Sequence, residues 1–204
     1  MSQITVTALI LSAGLSQRMD GRLKPLIYYK GTPFLVHIIK KVSAVCNNII
    51  IVTGYKAGYV QDEIKKWLIK NNRNLIKNIH WCHNTDYEQG MLLSLQTGLS
   101  FIKKTDWILY HFTDQPTLPD KFYEEFIEQI HTAYDWIQPQ YKGQSGHPVL
   151  FSQRLVEQIL ALESNQSLRD ISNDQKLNHK VWNCNFPEIL TDYDTPEQLK
   201  ELKE

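Results

Sequence analysis

The sequence has little cysteine: Cys46, Cys82 and Cys184 are widely spaced and form no Cys-x-x-Cys pair. An odd, scattered set argues against a disulfide framework and fits a reducing compartment, the cytoplasm. There is no excess of either charge, since 22 Lys and Arg balance 22 Asp and Glu. A nucleic-acid or membrane-surface binder calls for a basic excess or patch, so neither partner is expected. The local basic groups at Lys65-Lys66 and from Lys70 to Lys77 fit a solvated helix face and its exit loop. Long apolar runs are also missing. No stretch approaches the roughly 18 residues that suggest a membrane span, and no charged segment leads into an apolar one at the N-terminus, so neither a span nor a signal peptide is expected. Without repeats, low-complexity tracts or a long linker, residues 1–204 read as a single domain with one sizeable core.

What the chain does have is alternation. Residues 4–11 form an apolar run that suits a strand buried on both faces. Residues 33–46 read as a helix, with Pro33 in its first turn and Leu35, Ile38, Ile39, Val42 and Val45 at helical spacing. Strands follow at 48–53, 78–83 and 106–112, separated by helices at 58–70 and 88–103. Four strand–helix alternations predict an α/β layer fold with a mostly parallel sheet and right-handed crossovers. Beyond them the pattern predicts a helix at 119–131 and strands in "DWIQPQY" and "GHPVLF", joined through Gly143 to Gly146. Helices at 153–163 and 166–172 and a strand in "KVWNCNF" come next. A closing helix runs from Thr195 to Lys203, with Thr195 as N-cap and Pro196 at its first position.

Ligands in an open α/β sheet bind at the carboxyl ends of strands. Three features fall there: the loop Ser12 to Lys24, Asp114 after the fourth strand, and Asp192-Tyr193-Asp194 after the last. Ser12, Ala13 and Gly14 allow a ligand close to the backbone, whose N–H groups can cradle an anion. Arg18 and Lys24 add two charges, which suits a polyanion. The loop has neither the G-x-x-x-x-G-K-[ST] nor the G-x-G-x-x-G spacing, so Walker and nicotinamide sites lose support. A phosphate loop facing Asp114 and Asp192 or Asp194 suggests Mg²⁺, which takes one or two carboxylates plus phosphates and water. Taken singly, the loop also fits a surface turn, and Asp114 a turn cap. "HWCH" at 80–83 lacks a second ligand pair for structural zinc. No G-x-S-x-G supports a serine hydrolase. His111 and the tryptophans Trp67, Trp81, Trp107 and Trp136 fall inside predicted elements and read as core or strand-edge residues.

Five segments in order carry a resemblance: "LSAGLSQRMDGRLK" (11–24), "NTDYEQGMLLSLQTGL" (84–99), "TDQP" (113–116), "GHPVLF" (146–151) and "TDYDTPEQL" (191–199). Together they resemble the nucleotidyltransferases related to the molybdenum-cofactor enzymes, an NTP transferase family. Ala13-Gly14, Asp114-Gln115-Pro116 and Gly146 to Phe151 are similar to the cytidylyl-transferring branch rather than the guanylyl-transferring one. Ser12 replaces the usual Ala of that pattern, and Asp20 stands where a Gly is usual, with Gly21 next to it.

The resemblance implies a Rossmann-like three-layer α/β fold. It implies CMP transfer from CTP to the terminal phosphate of molybdopterin, with pyrophosphate leaving. The catalytic residues would be Arg18 and Lys24. Leu11, Ser12, Ala13, Gly14, Gly90 and Ser94 would bind nucleotide, Gly146 and His147 would contact substrate (a packing or turn role being the alternative for His147), and Asp114 would hold Mg²⁺ or Mn²⁺ with Asp192 as its second carboxylate and Asp194 in reserve. Partners would be CTP, a molybdopterin-type cofactor, and a receiving molybdoenzyme or its chaperone. Three alternatives stay open: GTP as donor, another phosphorylated acceptor, and a non-catalytic cofactor carrier.

Overall fold

The computed structural model describes residues 4–202. In chain order its elements are β1 (Val6–Ser12), α1 (Phe34–Val45), β2 (Asn48–Thr53), α2 (Ala57–Asn71), β3 (Ile79–His83), α3 (Met91–Ser100), β4 (Trp107–Phe112) and α4 (Asp120–Ile127). There follow β5 (Trp136–Tyr141), β6 (Gln144–Ser145), β7 (Val149–Ser152), α5 (Val156–Leu160), α6 (Leu168–Ser172), β8 (His179–Asn183) and α7 (Pro196–Glu201). The eight strands form one sheet in the order β8-β5-β7-β4-β1-β2-β3, with β6 paired to β5. Strands β1 to β4 run parallel, as do β5 and β8, and β7 runs against both β4 and β5.

The apolar runs have a simple cause: successive strand residues face opposite sides, and both sides are covered. From β1, Val6, Ala8 and Ile10 join a core with α1, α2 and α4, while Leu9 and Leu11 join a second core with α3 and α5. Strands β2 and β4 split in the same way. Helix α3 lies close against the sheet through Gly98, where a Cβ would stand 2.5 Å from the Leu9 side chain and 2.6 Å from Val52.

The chain builds outward from β1 through β2 to β3, then returns through α3 to place β4 on the other flank of β1. The crevice between the carboxyl ends of β1 and β4 is the switch point where α/β sheets bind ligands. No helix among the described residues is long and apolar enough to cross a membrane.

The expected elements are present, with corrected ends. The helix expected at 88–103 is α3 preceded by a single 3₁₀ turn, Tyr87–Gln89. Gly90 separates them at φ 113°, ψ 178°, a conformation that glycine adopts and other residues avoid. The helix expected at 119–131 stops at Ile127, and that expected at 153–163 opens as a 3₁₀ turn and is α-helical only from Val156 to Leu160. The strand expected in "GHPVLF" begins at Val149, and that in "KVWNCNF" ends at Asn183. Thr195 caps α7, accepting the Gln198 N–H, and Pro196 is its first residue. Lys203, placed in that helix by the sequence pattern, lies outside the described residues. The two-residue hairpin of Tyr28–Tyr29 with Thr32–Pro33 carries no apolar pattern that announces it. Trp107, Trp136 and His111 are buried, and Trp67 and Trp81 pack half-buried against the core.

Candidate active site

The loop after β1 is folded by its own backbone. Met19 is fully buried and anchors it, its N–H bonded to the Ser16 carbonyl at 2.9 Å. Ser16 and Asp20 take left-handed conformations and Gly21 follows at φ 77°, so the chain doubles back. The Lys24 N–H then reaches the Ser16 hydroxyl at 3.3 Å, which brings the lysine to the carboxyl end of β1. Asp20 is exposed on the outside of this turn, and Gly21 supplies the bend.

The end of β4 is fastened to the same place. The Thr113 hydroxyl donates to the Leu11 carbonyl at 2.7 Å. The Lys24 ammonium donates to Asp114 Oδ2 at 3.3 Å and also pairs with Asp194, whose other oxygen takes Arg18 Nη2 at 2.5 Å. Two cations and two carboxylates thus form one chain. Arg18 is its solvent end, with its side chain 72% exposed, whereas Lys24 and Asp194 are largely covered. Burial pushes the Asp114 carboxyl above its ordinary value, Lys24 opposes that rise, and Asp194 and Asp192 add to it. Burial would raise Asp194 too, but Lys24 and Arg18 outweigh it and hold that carboxyl below the usual range.

Leu11, Ser12, Ala13, Gly14, Lys24, Gly90, Ser94 and Asp114 all line one cavity of about 330 Å³ at the switch point. A Cβ on Gly14 would meet nothing within 4 Å, so the space over that backbone is open. Asn84 orients Ser94: its Nδ2 donates to the Ser94 hydroxyl at 2.9 Å, while its Oδ1 takes the Asp86 N–H at 3.0 Å. Arg18 stands in an adjoining cleft with Lys24, Glu88 and Asp194.

Gly146 and His147 lie beside this cavity, not in its wall. The His147 ring meets Phe112, a wall residue, edge-on at 4.9 Å between centroids. Burial lowers His147 to about 4, helped by Arg169 and opposed by Asp192, so its ring is neutral near pH 7, and its buried Nδ1 has no hydrogen-bond partner among the described residues. Asp192 lies near Asp114 and His147, raising both, but joins none of the ion pairs among the described residues.

Among the described residues no three His, Cys, Asp or Glu side chains are grouped as a metal site. That includes the "HWCH" strand, where Cys82 is buried and His80 and His83 are exposed. It also means that Asp114 and Asp194 meet through Lys24 and not as a closed cage. The donor set nonetheless fits a hard divalent cation that takes few carboxylates and completes its shell with phosphate oxygens. The Lys24 ammonium already stands between Asp114 and Asp194, at a point where positive charge is favoured.

Four supporting residues carry no role in the sequence reading. Asn84 and Gln115 sit inside the quoted segments but reveal their contacts only in three dimensions. Tyr193 ties its N–H to the Asp114 carbonyl at 3.0 Å. Lys41 of α1 donates to the Pro116 carbonyl at 2.7 Å. Its only trace in sequence is that, of the adjacent pair Lys40-Lys41, it is the one spaced three and four residues from the core-facing Ile38 and Val45.

Residues 8–180 match the family model described as a MobA-like NTP transferase domain. The chain belongs to that family and is an enzyme of the nucleotidyltransferase superfamily. It is 27% identical over 201 residues to the molybdenum cofactor cytidylyltransferase of Escherichia coli (strain K12), covering 98% of this chain and 96% of that protein. It is 26% identical over 157 residues to a probable molybdenum cofactor guanylyltransferase of Bacillus cereus (strain B4264), covering 76% and 72%. Among solved structures, a Mycobacterium tuberculosis H37Rv protein superposes with TM-score 0.77 at 19% identity, covering 97% of each chain. That protein has also been solved as a complex with manganese, to which this chain fits with TM-score 0.73 at 18% identity, again covering 97% of each. The family match gives the general activity, nucleotidyl transfer.

Proposed function

We propose that this chain, acting as one domain, transfers CMP from CTP to the terminal phosphate of a molybdopterin-type cofactor. The observation that carries the chemistry is the convergence of Lys24, Asp114 and the Ser12–Gly14 backbone on one cavity, with Arg18 and Asp194 at its edge. The choice of CTP and of this acceptor draws support from the near full-length likeness to the Escherichia coli cytidylyltransferase and from the DQP and GHPVLF segments.

A terminal phosphate oxygen of the acceptor attacks the α-phosphorus of CTP. The new O–Pα bond forms as the Pα–O–Pβ bond breaks, and pyrophosphate leaves with the electron pair. The nucleophile is already ionised, so no side chain is asked to remove a proton. The protein's share is positioning and charge stabilisation. Lys24 and Arg18 release Asp194 and turn to the triphosphate. Gly14 lets the phosphates approach the backbone, and Gly90 and Ser94 border the base side of the cavity. Asp114, with Asp194 or Asp192, would hold Mg²⁺ or Mn²⁺, which would supply positive charge to offset that of the phosphates. His147, neutral near pH 7, offers the acceptor a hydrogen-bonding nitrogen and not a charge.

The test is pyrophosphate release with molybdopterin and Mg²⁺, comparing CTP, GTP and ATP. Release with CTP alone is expected. Release with GTP would move the chain to the guanylyl branch. Silence with all three, despite measurable CTP binding, would refute the acceptor and favour another phosphorylated acceptor or a carrier.

A further inference from the structure

Two hydrogen bonds and one tight contact converge on a single carbonyl, that of Ile189. It accepts the His147 N–H at 3.0 Å and the Gln115 side-chain Nε2 at 3.2 Å. It also sits so close to Gly146 that a Cβ there would lie 2.4 Å from it. Gln115 follows Asp114 in the chain, and His147 follows Gly146. A few residues further on, the Tyr193 N–H holds the Asp114 carbonyl at 3.0 Å, and Asp194 pairs with Lys24 and Arg18. Residues 189–194 therefore form a strut between the loop at 113–116 and the loop at 146–148.

Gln115 is an unusual residue to find at this junction. It is 5% exposed, and its buried Oε1 has no hydrogen-bond partner among the described residues. An unpaired buried acceptor lowers stability, and an apolar side chain of the same shape would leave none. What the amide adds is its N–H on Ile189. The Asp114 loop has other anchors, Lys41 on the Pro116 carbonyl and Tyr193 on Asp114, so the fold there does not hang on Gln115 alone.

From these contacts we infer that Gln115 is a positioning residue: through the Ile189 carbonyl it sets the Gly146–His147 loop in register with Asp114. That fixes the separation between the acceptor phosphate and the nucleotide, where misplacement by about an ångström reduces rate by orders of magnitude. The inference rests on the proposed reading of Gly146 and His147 as acceptor-side residues.

Gln115→Met keeps the length of the side chain and removes the donor. Gln115→Glu keeps its shape and sets a carboxylate against the Ile189 carbonyl. Four quantities are measured on wild type and both variants: thermal midpoint, CTP affinity with Mn²⁺, KM and kcat with molybdopterin, and amide hydrogen exchange across residues 145–150. The expected result is a midpoint within a few degrees of wild type and CTP affinity within about twofold. Acceptor KM rises or kcat falls about tenfold, and exchange at 145–150 quickens at least tenfold, more in the Glu variant. Unchanged exchange at 145–150 in both variants would overturn the inference. So would a tenfold loss of CTP affinity with acceptor kinetics intact, or a collapse of all four quantities together, which marks a purely structural role. If wild type itself transfers nothing to molybdopterin, the proposed acceptor fails, and the exchange measurement still decides for or against Gln115.

Discussion

On the proposed nucleotide side of the cavity, the walls come from the ends of adjacent parallel strands and from the helix that crosses between them. Thr113 bonds Leu11 across β4 and β1, and the Asn84 N–H bonds the Thr53 carbonyl across β3 and β2. On the proposed acceptor side, Gly146 and His147 lie where the sheet changes direction, and their supports come from Pro139 on β5 and from Ile189 in the tail. The first side is made by the regular ladder of the sheet and keeps an open space above Gly14. The second is made by irregular backbone wedged together, with no room left at Gly146. A regular sheet edge leaves room for a ligand, whereas an irregular junction has to be packed before it can hold one.

The largest effect is expected on the nucleotide side. Lys24→Ala or Asp114→Ala should cut turnover by about a thousandfold or more, since the first removes the cation proposed to face the reacting phosphates and the second the carboxylate proposed to hold the divalent metal. The thermal midpoint should hold in Lys24→Ala only to the extent that Asp114 and Asp194 tolerate each other without it, so Lys24→Met and Asp114→Asn serve as paired checks. Wild-type rates in either position would contradict the site.

The two glycines sharpen the contrast. Gly146→Ala drives a Cβ into the Ile189 carbonyl, main chain that cannot swing away, and should lose about 1–3 kcal/mol of stability along with acceptor-side activity. Gly14→Ala meets nothing within 4 Å and should stay within about 0.5 kcal/mol of wild type while weakening nucleotide binding. Denaturant midpoints and CTP titrations on the two variants measure both. Equal loss of stability at the two positions would erase the distinction.

A smaller effect follows from histidine. Burial lowers His111 to about 3 and His147 to about 4, against an ordinary value of 6.5. The unfolded chain takes up these protons below pH 6.5 and the folded one resists them, so stability should fall as pH drops from 6.5 towards 4 and be flat above 7. Thermal midpoints across that range check the sign. His111→Gln should shallow the acid slope and His147→Gln should also flatten acceptor kinetics between pH 4 and 6. A midpoint that rises on acidification would contradict the buried, neutral assignment.

Legibility followed the same division. Strands β1, β2 and β4 are readable because burial on both faces writes them as mostly apolar runs, broken only by residues such as Thr7 and His111, and the proposed phosphate loop is readable because it is contiguous from Ser12 to Lys24. Gly90 hid a helix start, since its role lies in a backbone angle and not in a pattern of polarity. The pairing of Lys24 with Asp194 spans 170 positions, and the hold of Ile189 on Gln115 spans 74, so no local period encodes either. Asp194 over Asp192 as the partner of Lys24 and Arg18 is likewise a choice made by tertiary packing.

The most direct test of the central claim follows the label. CTP carrying ³²P at the α- or the γ-phosphate is incubated with the protein, Mg²⁺ and molybdopterin, and the products are separated. Cytidylyl transfer places the α-label in the acceptor and the γ-label in pyrophosphate. Label from the γ-phosphate in the acceptor, or in free inorganic phosphate, would contradict nucleotidyl transfer at this site.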